Sequence, residues 1–272
     1  MAGNSETTRA AWQALLEPLR AEPARAAILT DFDGTLAPIV EHTEDAKLPD
    51  AARDVLVRLT ERYALVGAIS GRRTLDVRTL IGLDTIAYAG NHGLELMMPG
   101  DDGVSPDPSL DGREGDAAGF IATVEAERLA AAGLRVEDKG PIQAIHWRGV
   151  ADETTAEAAA REIAVDAGRA GLEPRWGRKV LEIRPVGGGG KDAAIGSLLA
   201  GDGIDRVVYA GDDRTDVDAF RRLGELRETG ELVAAVRVGV LSAEGPPEIA
   251  EESDVTVDDP AGWLEMLAWL VE

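Results

Sequence analysis

The stretch AILTDFDGTLAP, residues 27–38, decides how this chain folds: an apolar run ends on one carboxylate, Asp31, and a second, Asp33, stands in the sharp turn that follows. Residues 26–29 are apolar and without helical periodicity, the pattern of a short buried strand. Asp31 then falls at the strand's carboxyl end. Open α/β sheets bind ligands in the crevice beyond those ends, so a carboxylate there reads as a site residue. Gly34 lets the backbone turn back at once. One exposed Asp would read as a turn former or helix cap. Asp-x-Asp-Gly-Thr-Leu after an apolar strand points instead to phosphate chemistry.

Three further stretches extend the pattern. In ALVGAISGRR (residues 64–73) an apolar strand over 64–69 ends at Ser70, which taken alone reads more readily as an N-cap. In KDAAIGSLLA (191–200) Lys191 opens a helix directly after four glycines, Gly187 to Gly190. Lysine ordinarily favours the other end of a helix, so this position suggests an anionic partner. The glycine run is not a Walker loop, because Pro185 and Asp192 stand where Gly and Ser or Thr are needed. In RVVYAGDDRTDVDAF (206–220) a strand over 206–210 leads into Asp212, Asp213 and Asp216. Such carboxylates repel one another unless a cation or solvent relieves them. Joined with Asp31 and Asp33, they read as a site for a hard cation such as Mg²⁺, which takes oxygen ligands.

These four stretches, in this order, resemble the four signatures of the haloacid dehalogenase superfamily. The resemblance implies that Asp31 is the nucleophile and Asp33 the general acid and base. It implies that the Ser70 hydroxyl bonds the transferring phosphoryl group and that Lys191 faces the phosphoryl oxygen and the nucleophile. It also implies Mg²⁺ on Asp31, Asp212 and the Asp33 backbone carbonyl, with Asp213 and Asp216 beside them orienting waters and Lys191. One departure is that the superfamily usually has Asn or Asp before the Lys and Gly after it, whereas Gly190 and Asp192 flank Lys191 here. The role of the Lys is untouched; the geometry of its loop is left open.

Apolar strands near 26–32, 64–69, 85–90, 206–210 and 233–238 alternate with helical patterns, the order of a doubly wound, mostly parallel α/β sheet. The rhythm changes at MMPGDDGVSPDPSLDGREGD (97–116), rich in turn formers and acids. An α+β insert follows, with a helix near 117–132, strands near 134–137 and 142–147, a helix near 153–170 and strands near 172–176 and 179–183. Flexible joints on both sides suggest a mobile cap. The expected division is a catalytic core of residues 1–100 and 186–272 and a cap of residues 101–185. A cap at this point is the arrangement of the superfamily's sugar-phosphatase branch. The last twelve residues, AGWLEMLAWLVE, read as an amphipathic helix packed on the core.

AGNHGLEL (89–96), IHWR (145–148), GRKVLEIRP (177–185) and the GDDRTDVDAF that begins at Gly211 together resemble the trehalose-6-phosphate phosphatase family. The resemblance implies hydrolysis of trehalose 6-phosphate through an aspartyl-phosphate. It implies sugar hydroxyls bonded by Lys179 and Glu182, with Asn91, His92, Glu95 and Arg148 as further substrate contacts. A disaccharide offers many hydroxyls and little apolar area, so recognition by polar groups fits. From spacing alone, Lys179 and Glu182 are three apart and fall on opposite faces of a regular strand, which would leave one as a surface charge. His146, between Ile145 and Trp147, is as readily a cap-core histidine as a ligand. Two alternatives stand beside this reading: another capped phosphatase acting on sucrose phosphate or a phosphorylated glycosyl solute, and a non-catalytic sugar-phosphate sensor.

Composition narrows the classes further. At 272 residues and 44% hydrophobic, the chain can bury a full core. It has no cysteine, and His42, His92 and His146 are too scattered for a zinc site. No run approaches the roughly 18 apolar residues of a membrane span, and no secretory signal pattern opens the chain. The expectation is a cytoplasmic monomer with a small-molecule substrate. A net charge of −22 argues against nucleic acid and anionic membranes as partners. Only four of the 28 basic residues are lysine, and so acidic a surface fits a salty cytoplasm in which a Debye length of about 3 Å screens self-repulsion.

Overall fold

The computed structural model describes residues 2–40, 45–177, 179–187, 189–201, 203–242 and 245–272, without the side chains of residues 2–8 and 109. His42, Arg178 and Gly188 lie outside the described residues. The chain divides into two compact units, one of residues 1–105 and 189–272 and the other of residues 106–188.

The first unit opens with helix α1 (Ala2–Ala21) and strand β1 (Ala26–Asp31). Then follow α2 (Asp50–Thr60), β2 (Leu65–Ile69), α3 (Thr74–Ile81), β3 (Ala87–Gly90), β4 (Glu95–Met97) and the two-residue β5 (Ser105–Pro106). The second unit contains α4 (Asp116–Ile121), α5 (Ala126–Ala131), β6 (Arg135–Asp138), β7 (Gln143–His146), α6 (Glu153–Arg169), β8 (Leu172–Gly177) and β9 (Val180–Pro185). The chain returns to the first unit through α7 (Lys191–Leu198), β10 (Arg206–Gly211), α8 (Arg214–Glu228), β11 (Ala234–Val240), α9 (Glu248–Glu252), β12 (Val255–Val257) and α10 (Pro260–Leu270).

The large sheet has the order β12-β11-β10-β1-β2-β3-β4-β5. From β12 to β3 every neighbour is parallel, and β4 turns back antiparallel on β3. Both faces are covered, which is why its central strands are continuous apolar runs. The strand period of two deals successive residues to the two faces. Ala26 and Ile28 join a core with Trp12, Leu16, Leu56, Trp263 and Leu267. Ala27 and Leu29 join the other, with Ile195, Leu198, Phe220 and Leu223. Asp31 continues the second series and therefore faces α7 and α8. On the opposite face Thr30 accepts a 3.0 Å hydrogen bond from the Trp263 indole, which ties the closing helix to the central strand.

In the second unit the antiparallel sheet β6-β7-β9-β8 has one face packed on helices through Ile145, Leu181, Ile183, Ala160 and Ile163. The helix expected over 117–132 is two short helices instead. Between them Thr123 donates to the Phe120 carbonyl at 2.7 Å, a local bond that competes with the helix ladder beside a second β-branched residue, Val124. Strands β4 and β12, three residues each, fall below what a periodicity reading detects.

Candidate active site

The carboxyl ends of β10, β1 and β2 lie side by side, with Thr30 in register with Ala210 and Asp31 with Ile69. The signatures at 31, 70 and 212, far apart in sequence, are thereby gathered at one edge of the first unit.

Asp31 is buried, and its Oδ1 accepts a 2.6 Å hydrogen bond from Lys191 Nζ. Lys191 is the first residue of α7 and equally buried; a second 2.6 Å bond joins its Nζ to Asp216 Oδ1. Asp216 is fully buried in the first turn of α8 and also takes bonds from the Tyr209 hydroxyl and the backbone N–H groups of Asp212 and Asp213. Asp212 is held from the other side, where Thr35 donates to its Oδ1 at 3.0 Å. Gly34 has φ +87°, and a Cβ there would fall 2.1 Å from Asp212 Oδ2. The turn thus needs glycine twice over, for its left-handed backbone and for the carboxylate packed against it.

Oxygen atoms of Asp31, Asp212 and Asp216 lie within 4.8 Å of one another. One lysine balances three carboxylates, and the electrostatics show the deficit. Burial pushes the Asp31 carboxyl well up, Lys191 opposing and Asp216 and Asp212 reinforcing the rise. Burial, then Asp216, pushes Asp212 up to about 7. Burial works against the charge of Lys191, but Asp216 and Asp31 outweigh it and hold the ammonium above its ordinary value. An all-oxygen, electron-rich, buried donor set fits a hard divalent cation. Because Asp216 already accepts four donors, Asp31 and Asp212 are the carboxylates suited to hold one. Asp213, expected beside the metal, caps α8, its Oδ1 accepting from the Arg214 N–H.

Ser70 follows β2, buried, with its N–H on the Ala89 carbonyl and its Oγ accepting from the Arg72 N–H at 3.1 Å. Asp33 is more open and is gripped by the Arg72 guanidinium through two 2.7 Å bonds. Asn91 and His92 both adopt left-handed backbone, φ +50° and +58°, a conformation uncommon outside glycine. Their N–H groups bond the Arg72 and Ser70 carbonyls, which fixes the segment to the loop after β2. The His92 ring lies under Gly71, where a Cβ would come within 2.6 Å of its Cε1. Glu95 is buried, and its Oε2 accepts the Thr74 N–H at 3.0 Å, capping α3.

The other expected substrate residues belong to the second unit. Lys179 is not on a strand: it sits at φ +61° in the turn from β8 to β9, so the opposite-faces argument does not apply to it. Its Nζ pairs with Glu153 at 2.7 Å. Glu182, on β9, pairs with Lys139 at 2.9 Å. On β7, His146 Nε2 lies 2.8 Å from Glu137 Oε2. Arg148 is exposed in the turn that follows. Arg72, Thr35 and Tyr209 are the site residues that the sequence reading passed over. Thr35 stood inside the first signature, whereas Tyr209 is one apolar strand residue among several until the fold aims its hydroxyl at Asp216.

A doubly wound sheet with a buried carboxylate ending its central strand, a lysine opening one helix and an acidic loop opening the next defines a haloacid dehalogenase-like protein. Comparison with known proteins narrows the class. A family model described as trehalose-phosphatase matches residues 29–253. A probable trehalose-phosphate phosphatase of Oryza sativa is 32% identical over 263 residues, covering 90% of this chain and 69% of the relative. A Mycobacterium tuberculosis protein described as an uncharacterized glycosyl hydrolase is 37% identical over 72% of this chain, which spans only 15% of that relative's length. The C-terminal domain of C. albicans trehalose-6-phosphate phosphatase superposes with a TM-score of 0.74 at 20% identity, covering 95% of this chain and 96% of that one, and so shares the fold. The chain belongs to the trehalose-phosphatase family.

Proposed function

We propose that this protein hydrolyses trehalose 6-phosphate to trehalose and phosphate through an aspartyl-phosphate on Asp31. The observation that carries the reading is the buried Asp31–Lys191–Asp216 chain beside Asp212, in a member of the trehalose-phosphatase family. A buried carboxylate at a strand end, with a fixed cation on one oxygen, is suited to in-line attack on phosphorus. Asp33 protonates the departing sugar oxygen and then, as the carboxylate, takes a proton from the water that attacks the aspartyl-phosphate. Ser70 and Lys191 hold the phosphoryl oxygens. The unit of residues 106–188 serves as the cap, and the sugar contacts are Lys179, Glu182 and Arg148 of that unit and Asn91, His92 and Glu95 of the first.

Asp31 and Asp212, with the Asp33 main-chain carbonyl, would hold Mg²⁺, which when bound neutralises phosphate charge. A direct test uses pH. Asp212 titrates near 7 in the native protein against an ordinary 3.8 unfolded, so the native state keeps a proton that the unfolded chain releases. Its contribution to stability is complete below about pH 4 and is lost as pH rises through about 7. A divalent cation replaces that proton. The thermal midpoint is therefore expected to rise with millimolar MgCl₂ by several degrees at about pH 8 and hardly at all at about pH 5. A Mg²⁺ shift independent of pH would overturn the assignment of Asp31 and Asp212.

The function itself is tested by phosphate release from trehalose 6-phosphate, sucrose 6-phosphate, glucose 6-phosphate and mannosyl-3-phosphoglycerate, with and without Mg²⁺, in low and molar KCl. Mg²⁺-dependent release that favours trehalose 6-phosphate is the expected result. We further propose that the acidic, lysine-poor surface suits a salty cytoplasm, in which case molar KCl preserves or raises activity. Preference for another substrate would keep the chemistry and reject the sugar contacts, and silence on all four would favour the sensor.

A further inference from the structure

Asp33 follows the end of β1 in an open turn, yet its carboxylate has one orientation. Arg72, 39 residues further on, presents Nε to Oδ2 and Nη2 to Oδ1, both at 2.7 Å. This fork-to-fork pairing fixes the plane of a carboxylate as well as its position. The arginine is fixed in turn. Its guanidinium carbon stands 5.7 Å from the centroid of the buried Phe32 ring, its N–H donates to Ser70 Oγ, and its carbonyl accepts from the Asn91 N–H. Arg72 therefore joins three segments that each carry a site residue: 31–35, the loop after β2 and the left-handed turn after β3. Arg73 beside it is exposed.

We infer that Arg72 is the positioning residue for Asp33. The terminal torsion of an aspartate is broad and roughly two-fold, so a half-exposed Asp33 without the fork would sample many carboxylate orientations. A general acid works only within hydrogen-bond reach of the atom that it protonates. A carboxylate has about four lone-pair positions; the fork takes one on each oxygen and leaves one on each for the proton-transfer partner. The Arg72 side chain is 17% exposed and that of Asp33 38%, so the fork holds the carboxylate from one side and leaves the other open to a substrate.

The inference rests on the reading of Asp33 as general acid, and the experiment separates the two. Single-turnover phosphoenzyme formation is measured with trehalose 6-phosphate, whose leaving alkoxide needs a proton, and with p-nitrophenyl phosphate, whose leaving phenolate does not. Arg72→Ala is expected to slow the sugar phosphate by about 10²-fold, the range general acids supply, with KM nearly unchanged and p-nitrophenol release close to the parent. Arg72→Lys keeps the charge but not the fork and is expected to lose most of the same rate; it carries the test alone should the Ala variant not fold. Added guanidinium restores part of the loss in Arg72→Ala. In an Asp33→Asn background, Arg72→Ala is expected to cost nothing further, because the residue acts through Asp33. Equal losses on both leaving groups, or additive losses in the double variant, would overturn the inference. If Asp33→Asn alone fails to discriminate between the leaving groups, it is the general-acid reading that falls; if it discriminates and Arg72→Ala does not, only the role of Arg72 falls.

Discussion

The Asp31→Asn variant is expected to release no phosphate above background while folding at least as stably as the parent protein. The amide keeps the shape of the carboxylate but cannot attack phosphorus, so no covalent intermediate forms and the rate falls by the whole of the nucleophilic contribution. The fold has no comparable need for the charge. Burial already pushes the Asp31 carboxyl well up, with Asp216 and Asp212 adding to the rise, so its ionised form is carried at a cost that Lys191 offsets only in part. With Asn at this position Lys191 retains Asp216, and one of three crowded carboxylates is gone. Thermal denaturation without divalent metal, set beside a phosphate-release assay, checks both halves. Measurable turnover in a clean preparation would remove Asp31 as the nucleophile, and a marked loss of midpoint would make it a structural residue.

Lys191→Met should have the opposite profile, losing activity and stability together. Its ammonium sits between Asp31 and Asp216 at 2.6 Å from each, with all three side chains at most 6% exposed. A methionine fills the volume but leaves two buried carboxylates facing each other. Removing one partner of a buried ion pair typically costs about 3–5 kcal/mol. Chemical denaturation should show a loss of that order, and adding Asp31→Asn to Lys191→Met should recover part of it by removing one stranded charge. A loss below about 1 kcal/mol, the scale of an exposed pair, would mean that solvent reaches the cluster.

The catalytic core was legible because its signals are local. Asp31 ends an apolar run, Ser70 ends another, and Lys191 follows four glycines, so strand period and turn chemistry together place each at an element boundary. The short strands β4 and β12 were not legible, since three residues carry no period. The break between α4 and α5 has no sequence signal, because the apolar pattern runs through it and only the local bond of Thr123 interrupts the ladder. The strand expected to start near Lys179 begins one residue later, at Val180. That shift was enough to move Lys179 from a strand face into a left-handed turn, because side-chain direction in a strand reverses at every step.

Which chemistry-bearing residues stand at the ends of which strands follows from chain order alone, because burial period and glycine turns act over a few neighbours. Which of these residues become partners depends on the folded arrangement of the strands and helices. The parallel register of β10, β1 and β2 brings Asp31 and Asp212 to one edge. The strand alternation turns Asp31 toward α7, so that Lys191, 160 residues away, reaches it. Arg72 and Asp33, 39 residues apart in the chain, become a fork-to-fork pair for the same reason. Hydrogen bonds and ion pairs are fixed by distance in space, and crossover connections bring together residues that chain order keeps apart.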